Sequence, residues 1–280
     1  MTKKINTLIL LLCVVSINAQ QQTNKETSSW KKTGTISFLM NQSSFSNWIA
    51  GGDNSIAGNF GLNYDFNYAK GSDSWDNKLI IAYGLTNVKG TGTRKTDDKF
   101  EFNSMYGRKT KGNWSYSFYL NFKTQFTNGY DYSQTPKVKT SAFLAPGYLS
   151  FGPGMLWKKS ANFKINISPL TSKITLVSDE FSGKYGTAVG KNTRYEFGFN
   201  SSLYYKTTLM ENVSIENILN VYSNYLDNPQ NIDIDYQLNL VMQINKYLST
   251  NLNIHTIVDD NASSKVQFKE IFGLGVNYKF

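Results

Sequence analysis

The chain ends on the stretch Phe268-Lys269-Glu270-Ile271-Phe272-Gly273-Leu274-Gly275-Val276-Asn277-Tyr278-Lys279-Phe280. Apolar side chains alternate here with small or polar ones, at Phe272, Leu274, Val276, Tyr278 and Phe280. Side chains two positions apart lie on one face of a β-strand, so this alternation predicts an amphipathic strand at the C-terminus. The last strand of a soluble sheet would look the same, and the rest of the chain has to distinguish the two.

The same period of two recurs from Thr33 onward, with turn residues between the runs. In the clearest run the apolar positions are Ile232, Ile234, Tyr236, Leu238, Leu240, Met242 and Ile244. We predict twelve strands, at about 33–44, 54–69, 74–89, 97–109, 113–127, 140–157, 161–177, 193–209, 212–225, 231–245, 248–258 and 265–280. A tilted strand needs ~9–11 residues to cross a bilayer, whereas soluble strands average ~5–6, so these lengths favour membrane crossing.

The connections between the predicted strands alternate in length. Tight turns are expected at Gly71-Ser72-Asp73, Lys111-Gly112, Lys158-Lys159-Ser160, Met210-Glu211 and Asn245-Lys246-Tyr247. Longer links are expected near Phe45–Asp53, Gly90–Thr96, Asn128–Lys139, Ser178–Asn192, Asp227–Gln230 and Asp259–Ser264. Outer-membrane barrels place short turns on the periplasmic side and long loops outside. We therefore predict an all-β fold, an antiparallel transmembrane β-barrel of about twelve strands with periplasmic termini; a soluble β-sandwich is the alternative.

The N-terminal segment resembles an export signal. Residues 1–19 carry Lys3 and Lys4, then an apolar run over 9–15, and end on Ala19, which predicts a secretory signal peptide cleaved after that residue. Residues 20–32 would form a short periplasmic lead-in and residues 33–280 one barrel domain. Cys13 is the only cysteine and leaves with the signal, so the exported chain has no disulfide. The predicted location is the outer membrane of a Gram-negative bacterium.

Composition excludes several classes of protein. The chain has 29 basic and 20 acidic residues, and two of the lysines lie in the predicted signal, which leaves a net charge of +7. The basic residues form no clustered patch, so we expect no nucleic-acid partner. No segment after the signal has eighteen consecutive apolar residues, which excludes a helical membrane protein. Aromatic residues make up 15% of the chain, as expected if they form belts at the membrane interfaces.

Charged residues occupy the face predicted to line the lumen. They are Lys78, Lys123, Lys164, Lys206, Lys269, Asp65, Asp76, Glu101, Glu196, Glu216, Asp233 and Asp235. Mixed charges in a closed cylinder are expected to form salt bridges, and a selectivity filter is the alternative reading. Candidate lumen residues are Lys123, Glu196, Glu216, Asp233 and Asp235. A barrel of twelve strands is wide enough for a narrow pore without requiring one.

His255 is the only histidine and lies on the predicted lumenal face. A hydrolase could be imagined around it, because Ser249 and Asp259 lie nearby in sequence, but catalysis needs a hydroxyl within hydrogen-bond reach of the imidazole. We expect a hydrogen-bonding lumenal histidine and no enzyme, with a lipid hydrolase as the alternative. Asp97-Asp98 and Asp259-Asp260-Asn261 lack the spacing of a calcium loop. No metal site or cofactor is predicted.

Three further segments are unusual. Residues 45–55 combine Trp48 with the Gly51-Gly52 pair, whose glycines permit unusual backbone angles. Residues 145–154 and 168–173 place prolines inside two neighbouring predicted strands, where bulges or a locally opened wall are expected because proline donates no ladder hydrogen bond.

In these segments the chain resembles a Bacteroidota family of outer-membrane proteins described only as a domain of unknown function. The likeness is carried by Asn-Trp-x-x-Gly-Gly-x-Asn-Ser (Asn47 to Ser55), Ala-Pro-x-Tyr and Ser-Pro-Leu-Thr-x-Lys. It implies a barrel and transfers no activity. Loop packing explains all three segments; ligand contact at the outer mouth is the functional alternative, with Trp48, Gly51 and Gly52 as candidates.

The leading functional hypothesis is that a narrow, mixed-charge lumen passes or binds a small polar solute, as in a porin-like protein. A lipid hydrolase and a structural or assembly subunit of an envelope complex are the alternatives. Expected partners are outer-membrane lipid and, as a further hypothesis, an envelope protein. The final strand, with Tyr278 and Phe280, resembles the signal that the outer-membrane barrel assembly machinery reads.

Overall fold

The computed structural model describes residues 29–46, 49 and 53–280. In this part of the chain, twelve antiparallel strands form a closed barrel in the order β1-β2-β3-β4-β5-β8-β9-β10-β11-β12-β13-β14, and β14 pairs with β1. The barrel strands are β1 (Trp30–Ser43), β2 (Ser55–Lys70), β3 (Asp73–Val88), β4 (Gly92–Lys109), β5 (Trp114–Thr124), β8 (Gly147–Ser160), β9 (Phe163–Leu176), β10 (Thr193–Met210), β11 (Val213–Asn224), β12 (Ile232–Gln243), β13 (Leu248–Asp259) and β14 (Ser263–Lys279). Outside the barrel, β6 (Gly129–Asp131) pairs with β7 (Val138–Ser141), and Asp179–Phe181 form a short 3-10 turn.

Each of the twelve predicted strands overlaps one strand of the barrel, which confirms the fold class. The largest difference concerns the sixth, predicted from residue 140, because Val138–Ser141 pairs with Gly129–Asp131 and the barrel strand starts at Gly147. β1 begins at Trp30, so the end of the predicted lead-in belongs to the barrel. The predicted signal peptide lies outside the described residues and stays a prediction.

Bulges occur where the sequence predicted them. The register between β8 and β9 shifts between Phe151 and Met155, beside Pro153. The register between β9 and β10 shifts between Gly198 and Asn200, opposite the β9 segment that contains Pro169. Proline cannot donate to the ladder, so an extra residue is accommodated there. The wall remains paired on both sides of the bulges, and Pro146 precedes β8 instead of lying inside it.

β1 begins and β14 ends at the same end of the barrel, which we name the turn side. The connections at this end are residues 71–72, 110–113, 161–162, 211–212 and 244–247. At the opposite end, the loop side, they are 44–54, 89–91, 125–146, 177–192, 225–231 and 260–262. Two predictions of longer links were wrong, since the strands around 89–91 and 260–262 continue almost to the turn. The predicted turn at residues 158–160 also belongs to a strand, and the turn follows at residues 161–162. Short connections therefore occur at both ends of the barrel, whereas the long ones occur only on the loop side.

The barrel is apolar outside and polar inside. Outward side chains such as Phe38 (47% exposed) and Leu274 (53% exposed) stay uncovered, whereas Glu101 and Ser249 are fully buried. Soluble proteins bury apolar side chains and expose charged ones. This reversed arrangement, in a closed sheet with every neighbouring strand paired, is that of a transmembrane β-barrel.

Tryptophans mark one rim of the barrel. Trp30, Trp75, Trp114 and Trp157 all lie at the turn-side ends of their strands. The rings of Trp30 and Trp75 are 5.9 Å apart, and Trp114 faces Trp157 across the ladder between β5 and β8. Aromatic rings concentrate at membrane interfaces, so this belt indicates the depth at which the turn side meets the headgroups. Among the described residues, no helix is long and apolar enough to cross a membrane.

The C-terminal residue closes the barrel. β1 and β14 are in register from Thr35 opposite Lys279 to Met40 opposite Leu274. Phe280 extends this seam, because its N–H donates to Gly34 O at 3.0 Å and its carbonyl accepts from Gly34 N–H at 2.8 Å. The Phe280 ring covers Gly34, where a Cβ would collide with it, and lies 5.8 Å from the Tyr64 ring.

A chain that ends at Lys279 is expected to yield less folded barrel in cells, with a smaller change in the urea midpoint of the refolded protein. The terminal aromatic resembles an assembly signal, whereas one rim side chain buries apolar surface worth at most ~1.5–3 kcal/mol. The yield is measured as the fraction that migrates differently on a gel when unheated. Phe272→Ala is the control, since Phe272 is an outward aromatic of the same strand with similar exposure. Equal cellular yields of the full and shortened chains would contradict the assembly role.

Candidate functional site

The lumen contains a cavity of about 850 Å³ to which all twelve barrel strands contribute. It extends from Lys31 near the turn side to Gln125 and Tyr185 at the loop side. Its walls carry lysines, carboxylates, amides and tyrosine rings, because the polar half of each alternating strand points inward. The cavity is therefore lined by charged and polar side chains, with apolar groups such as those of Leu156 and Ile257 between them.

Strand order brings together side chains that are far apart in sequence. In a ring of twelve strands, β3 lies opposite β11 and β4 lies opposite β12. Lys78 on β3 contacts Glu216 on β11 at 3.3 Å, and Lys99 on β4 donates to Gln237 on β12 at 2.7 Å. These contacts cross the lumen between opposite walls. The charged side chains of the lumen form three layers, one in the middle and one toward each end of the barrel.

The middle layer is held by Glu101 and Asp235. Lys123 Nζ lies 2.5 Å from Asp235 Oδ2, and His255 Nε2 lies 3.0 Å from Asp235 Oδ1. Glu101, which is 0% exposed, pairs with Lys99 at 3.0 Å and accepts from Gln237 Nε2 at 3.2 Å. Two lysines thus face two carboxylates. The layer ties β4 and β5 to β12 and carries no surplus charge when His255 is neutral.

The loop-side layer is centred on Lys173. Its Nζ lies 2.7 Å from Asp233, 3.7 Å from Glu196 and 3.9 Å from Asp259. It also lies 4.8 Å from the centre of the Tyr222 ring, within the range of a cation–π contact. Arg194 adds a second cation, 3.5 Å from Glu196 and 3.2 Å from Asp227. Four carboxylates surround two cations in this layer.

The turn-side layer is built around Asp76 and Glu216. Lys158 and Lys164 both contact Asp76 Oδ2, at 2.7 and 3.0 Å. Lys78 lies between Glu216 at 3.3 Å and Asp65 at 3.5 Å. The Tyr204 hydroxyl donates to Glu216 at 2.8 Å. Ion pairs therefore occupy this end of the lumen as well.

The structure places every sequence-predicted charged residue that it describes on the lumenal wall. Lys123, Asp235 and His255 meet in the middle layer, Glu196 and Asp233 in the loop-side layer, and Glu216 in the turn-side layer. Lys269 pairs with Asp97 at 2.6 Å. Tyr278 and Phe280 lie on the outer surface, and Trp48, Gly51 and Gly52 lie outside the described residues.

Lys173 was missed by the sequence reading, although it is the lysine of the Ser-Pro-Leu-Thr-x-Lys segment. Lys164 and Lys173 both point from β9 into the lumen, although one has an even and the other an odd residue number. The bulge near Pro169 adds one residue to the strand and so changes which parity points inward. The prolines were the signal in the sequence for this bulge. A strict period of two does not allow for an extra residue and therefore places Lys173 on the wrong face.

The residues imagined around His255 do not come together. Ser249 donates to Asn251 Oδ1 at 2.7 Å and accepts from Asn277 Nδ2 at 2.5 Å, near the turn side. Asp259 lies at the other end of the same strand, in the loop-side layer. The partner of the imidazole is the carboxylate of Asp235, and not the Ser249 hydroxyl that the hydrolase hypothesis requires.

Carboxylate oxygens of Asp233, Asp259 and Asp260 lie within 4.8 Å of one another. Two of these groups already have the Lys173 ammonium as a cationic partner, at 2.7 Å from Asp233 and 3.9 Å from Asp259. Asp260 accepts from Asn231 at 2.6 Å. The arrangement is therefore explained by the lysine.

Two loop-side connections fold together as a cover. Ala145 from residues 125–146 packs with Val177 and Phe181 from residues 177–192, and all three are buried. The Tyr185 hydroxyl donates to Thr140 O, and the Tyr185 side chain also lines the cavity. Burial raises the pKa of Tyr185, so this hydroxyl stays neutral. The cover therefore adds a fixed polar group to the loop-side end of the cavity.

A protein family described as "Protein of unknown function (DUF3078)" matches residues 40–130. The match agrees with the resemblance to a family of unknown function. It includes the Asn-Trp-x-x-Gly-Gly-x-Asn-Ser segment, whereas the other two resembling segments lie beyond it. No curated protein matches the chain.

Three solved structures whose backbones align with this chain are outer-membrane or autotransporter barrels. An outer membrane channel from Pseudomonas putida F1 has 8% identity and a TM-score of 0.40, over 92% of this chain and 99% of that one. The translocator domain of the autotransporter NalP from Neisseria meningitidis has 10% identity and a TM-score of 0.31, over 98% and 94%. The β domain of the Bordetella autotransporter BrkA has 10% identity and a TM-score of 0.34, over 90% and 100%. With TM-scores this low, the fold assignment rests on the sheet of this chain itself.

Proposed function

We propose that this protein is an outer-membrane barrel whose lumen binds small polar solutes and lets them pass through a narrow path. The observation that carries the proposal is the polar cavity of about 850 Å³ crossed by ion pairs from opposite walls. Sites for small molecules typically have volumes of ~300–1,000 Å³. The cavity is therefore large enough to hold a solute, and the ion pairs limit free diffusion.

The cross-lumen pairs favour a selective path over an open pore. A solute that moves past the middle layer has to separate Lys123 from Asp235 or pass beside them. The two side chains are only 23% and 17% exposed, and separating two such charges costs energy unless the solute replaces the lost contacts. A polar solute can do so by hydrogen bonding, whereas an apolar one cannot. The hydrolase alternative gains no support, because the Ser249 hydroxyl bonds to Asn251 and Asn277 and not to His255.

The cellular setting is part of the same proposal. The predicted cleaved signal peptide would deliver the chain to the periplasm of a Gram-negative bacterium, of the Bacteroidota by resemblance. The apolar outer wall and the tryptophan belt support insertion into the outer membrane with the turn side in the periplasm. Lipid and the barrel assembly machinery are the partners that this location requires.

Removal of the middle pair should widen the path. We expect Lys123→Ala combined with Asp235→Ala to conduct more current in planar bilayers than the native barrel, since both members leave together and neither charge is left unpaired. The control combines Lys111→Ala with Glu211→Ala, which also removes one cation and one anion, but from exposed turns. Native protein that is folded by gel mobility yet conducts no more than an empty bilayer, with the double variant equally silent, would refute the proposal.

A further inference from the structure

The turn-side end of the lumen holds more lysines than carboxylates. Five lysines of this region line the cavity, namely Lys31, Lys78, Lys158, Lys164 and Lys206. The carboxylates at the same level are Asp65, Asp76 and Glu216. We name this set of eight residues the turn-side vestibule. Its formal charge is positive by two.

Three of the five lysines are already held in place by shared partners. Lys158 and Lys164 contact one oxygen of Asp76, so their ammonium groups are close neighbours. Lys164 and Lys78 lie 5.2 and 5.9 Å from the centre of the Tyr204 ring, and Tyr204 is fixed by its bond to Glu216. Like charges held this close repel one another, and an additional anion would relieve that repulsion.

The surplus resides on Lys31 and Lys206. In the described part of the chain, neither lies within 4.0 Å of a carboxylate oxygen, although both line the cavity. Lys206 is directly opposite Glu216 on the neighbouring strand, and Lys31 is opposite Asn67. Their side chains are exposed at the periplasmic-facing opening of the lumen. Two exposed ammonium groups therefore lie at the entrance to a set of ion-paired ones.

The opposite end of the lumen has the reverse balance. There Lys173 and Arg194 face Glu196, Asp227, Asp233 and Asp259, so the loop-side layer is negative by two. The middle layer between them is balanced. A gradient from negative at the mouth to positive at the turn side directs anions toward the vestibule, because low-dielectric walls concentrate the field along the lumen.

We propose that the turn-side vestibule binds a small free oxyanion, a solute bearing a phosphate or carboxylate group. Lysine ammonium groups donate charge-assisted hydrogen bonds to such oxygens, and several converging lysines suit a compact anion. This inference rests on the proposed function, which it deepens by naming the class of solute. Binding is expected from the turn side, where Lys31 and Lys206 are exposed.

The test uses inorganic phosphate and the full-length folded barrel in neutral detergent at low ionic strength, where screening is weakest. Isothermal titration is expected to show saturable phosphate binding by the native protein. Lys31→Gln combined with Lys206→Gln removes the surplus and leaves the ion pairs of Lys78, Lys158 and Lys164 intact, so we expect binding about tenfold weaker or more. Lys111→Gln combined with Lys159→Gln is the control, since it removes two exposed lysines at the same end of the barrel. The control is expected to bind like the native protein.

Two results would overturn the inference: no saturable binding by the native barrel, or equal binding by the Lys31/Lys206 variant. Gel mobility verifies that each variant is folded. Current carried by potassium chloride is recorded separately, without phosphate. If the barrel conducts but does not bind phosphate, the oxyanion site is refuted and the proposed solute path still stands. If the barrel binds phosphate but never conducts, the path is refuted and the oxyanion site still stands.

Discussion

Replacement of Glu101 by alanine is expected to lower the free energy of unfolding of the barrel by about 3–5 kcal/mol, the usual cost of breaking a buried ion pair from one side. Glu101 is 0% exposed, so solvent does not screen this interaction. Its Oε1 accepts from Asn103 at 3.1 Å and Asn121 at 3.3 Å, and its Oε2 faces Lys99 at 3.0 Å and Gln237 at 3.2 Å. Truncation leaves one buried cation and three amides without this acceptor.

Urea unfolding of the refolded protein in lipid vesicles, followed by tryptophan fluorescence, measures this loss. Glu101→Gln keeps the shape and removes the charge, so we expect a loss smaller than that of Glu101→Ala but still measurable, because Lys99 loses its carboxylate partner and keeps the amide oxygen of Gln237. Glu211→Ala removes an exposed carboxylate at a turn and serves as the control with little effect. If Glu101→Ala unfolded at the urea midpoint of the native protein, the middle layer would not stabilise the barrel.

Arginine at two adjacent positions of β12 should have opposite consequences. Leu238 lies at the centre of the strand on the outward face, and Leu238→Arg places a charge near the middle of the bilayer, at an expected cost of ~2–4 kcal/mol. Asn239 faces the lumen, where its Nδ2 donates to Glu216 at 3.2 Å. Asn239→Arg puts the new guanidinium beside this carboxylate and is expected to be tolerated far better.

The same vesicle assay compares both variants with the native barrel. Asn239→Leu completes the set, since it tests whether the inward position rejects an apolar side chain. Equal costs for the two arginine variants, or a larger cost for Asn239→Arg, would mean that the faces of β12 are assigned the wrong way round. Both expectations follow from alternation along one strand and do not depend on the proposed solute.

The strands were predictable because the alternation is local. Ile232 to Met242 follow a period of two that any membrane-spanning strand needs, so the inward and outward faces of β12 could be read from the residues alone. The long link predicted at 90–96 was wrong, because that prediction interpreted the polar residues there as a loop. Gly90 and Gly92 mark a tight turn with positive φ of 90° and 78°, and the polar residues that follow are still paired strand.

The partners of the lumenal charges could not be read in the same way. Lys78 and Glu216 are 138 positions apart, and only closure of a twelve-stranded ring places their strands opposite each other. The inward orientation of Lys173 depends on the bulge beside Pro169. The separation of Ser249 from His255 likewise follows from their positions along one strand and from the bonds that Ser249 makes to Asn251 and Asn277.

The sequence by itself determined the class of fold and which residues of the regularly alternating strands face the lumen, because strand periodicity is a property of neighbouring residues and needs no knowledge of the rest of the chain. The tertiary structure decided which charges pair, how three layers cross the lumen, and that the surplus of positive charge lies at the turn side. The physical reason is that ion pairing depends on distance through space, which barrel closure, strand stagger and bulges set together.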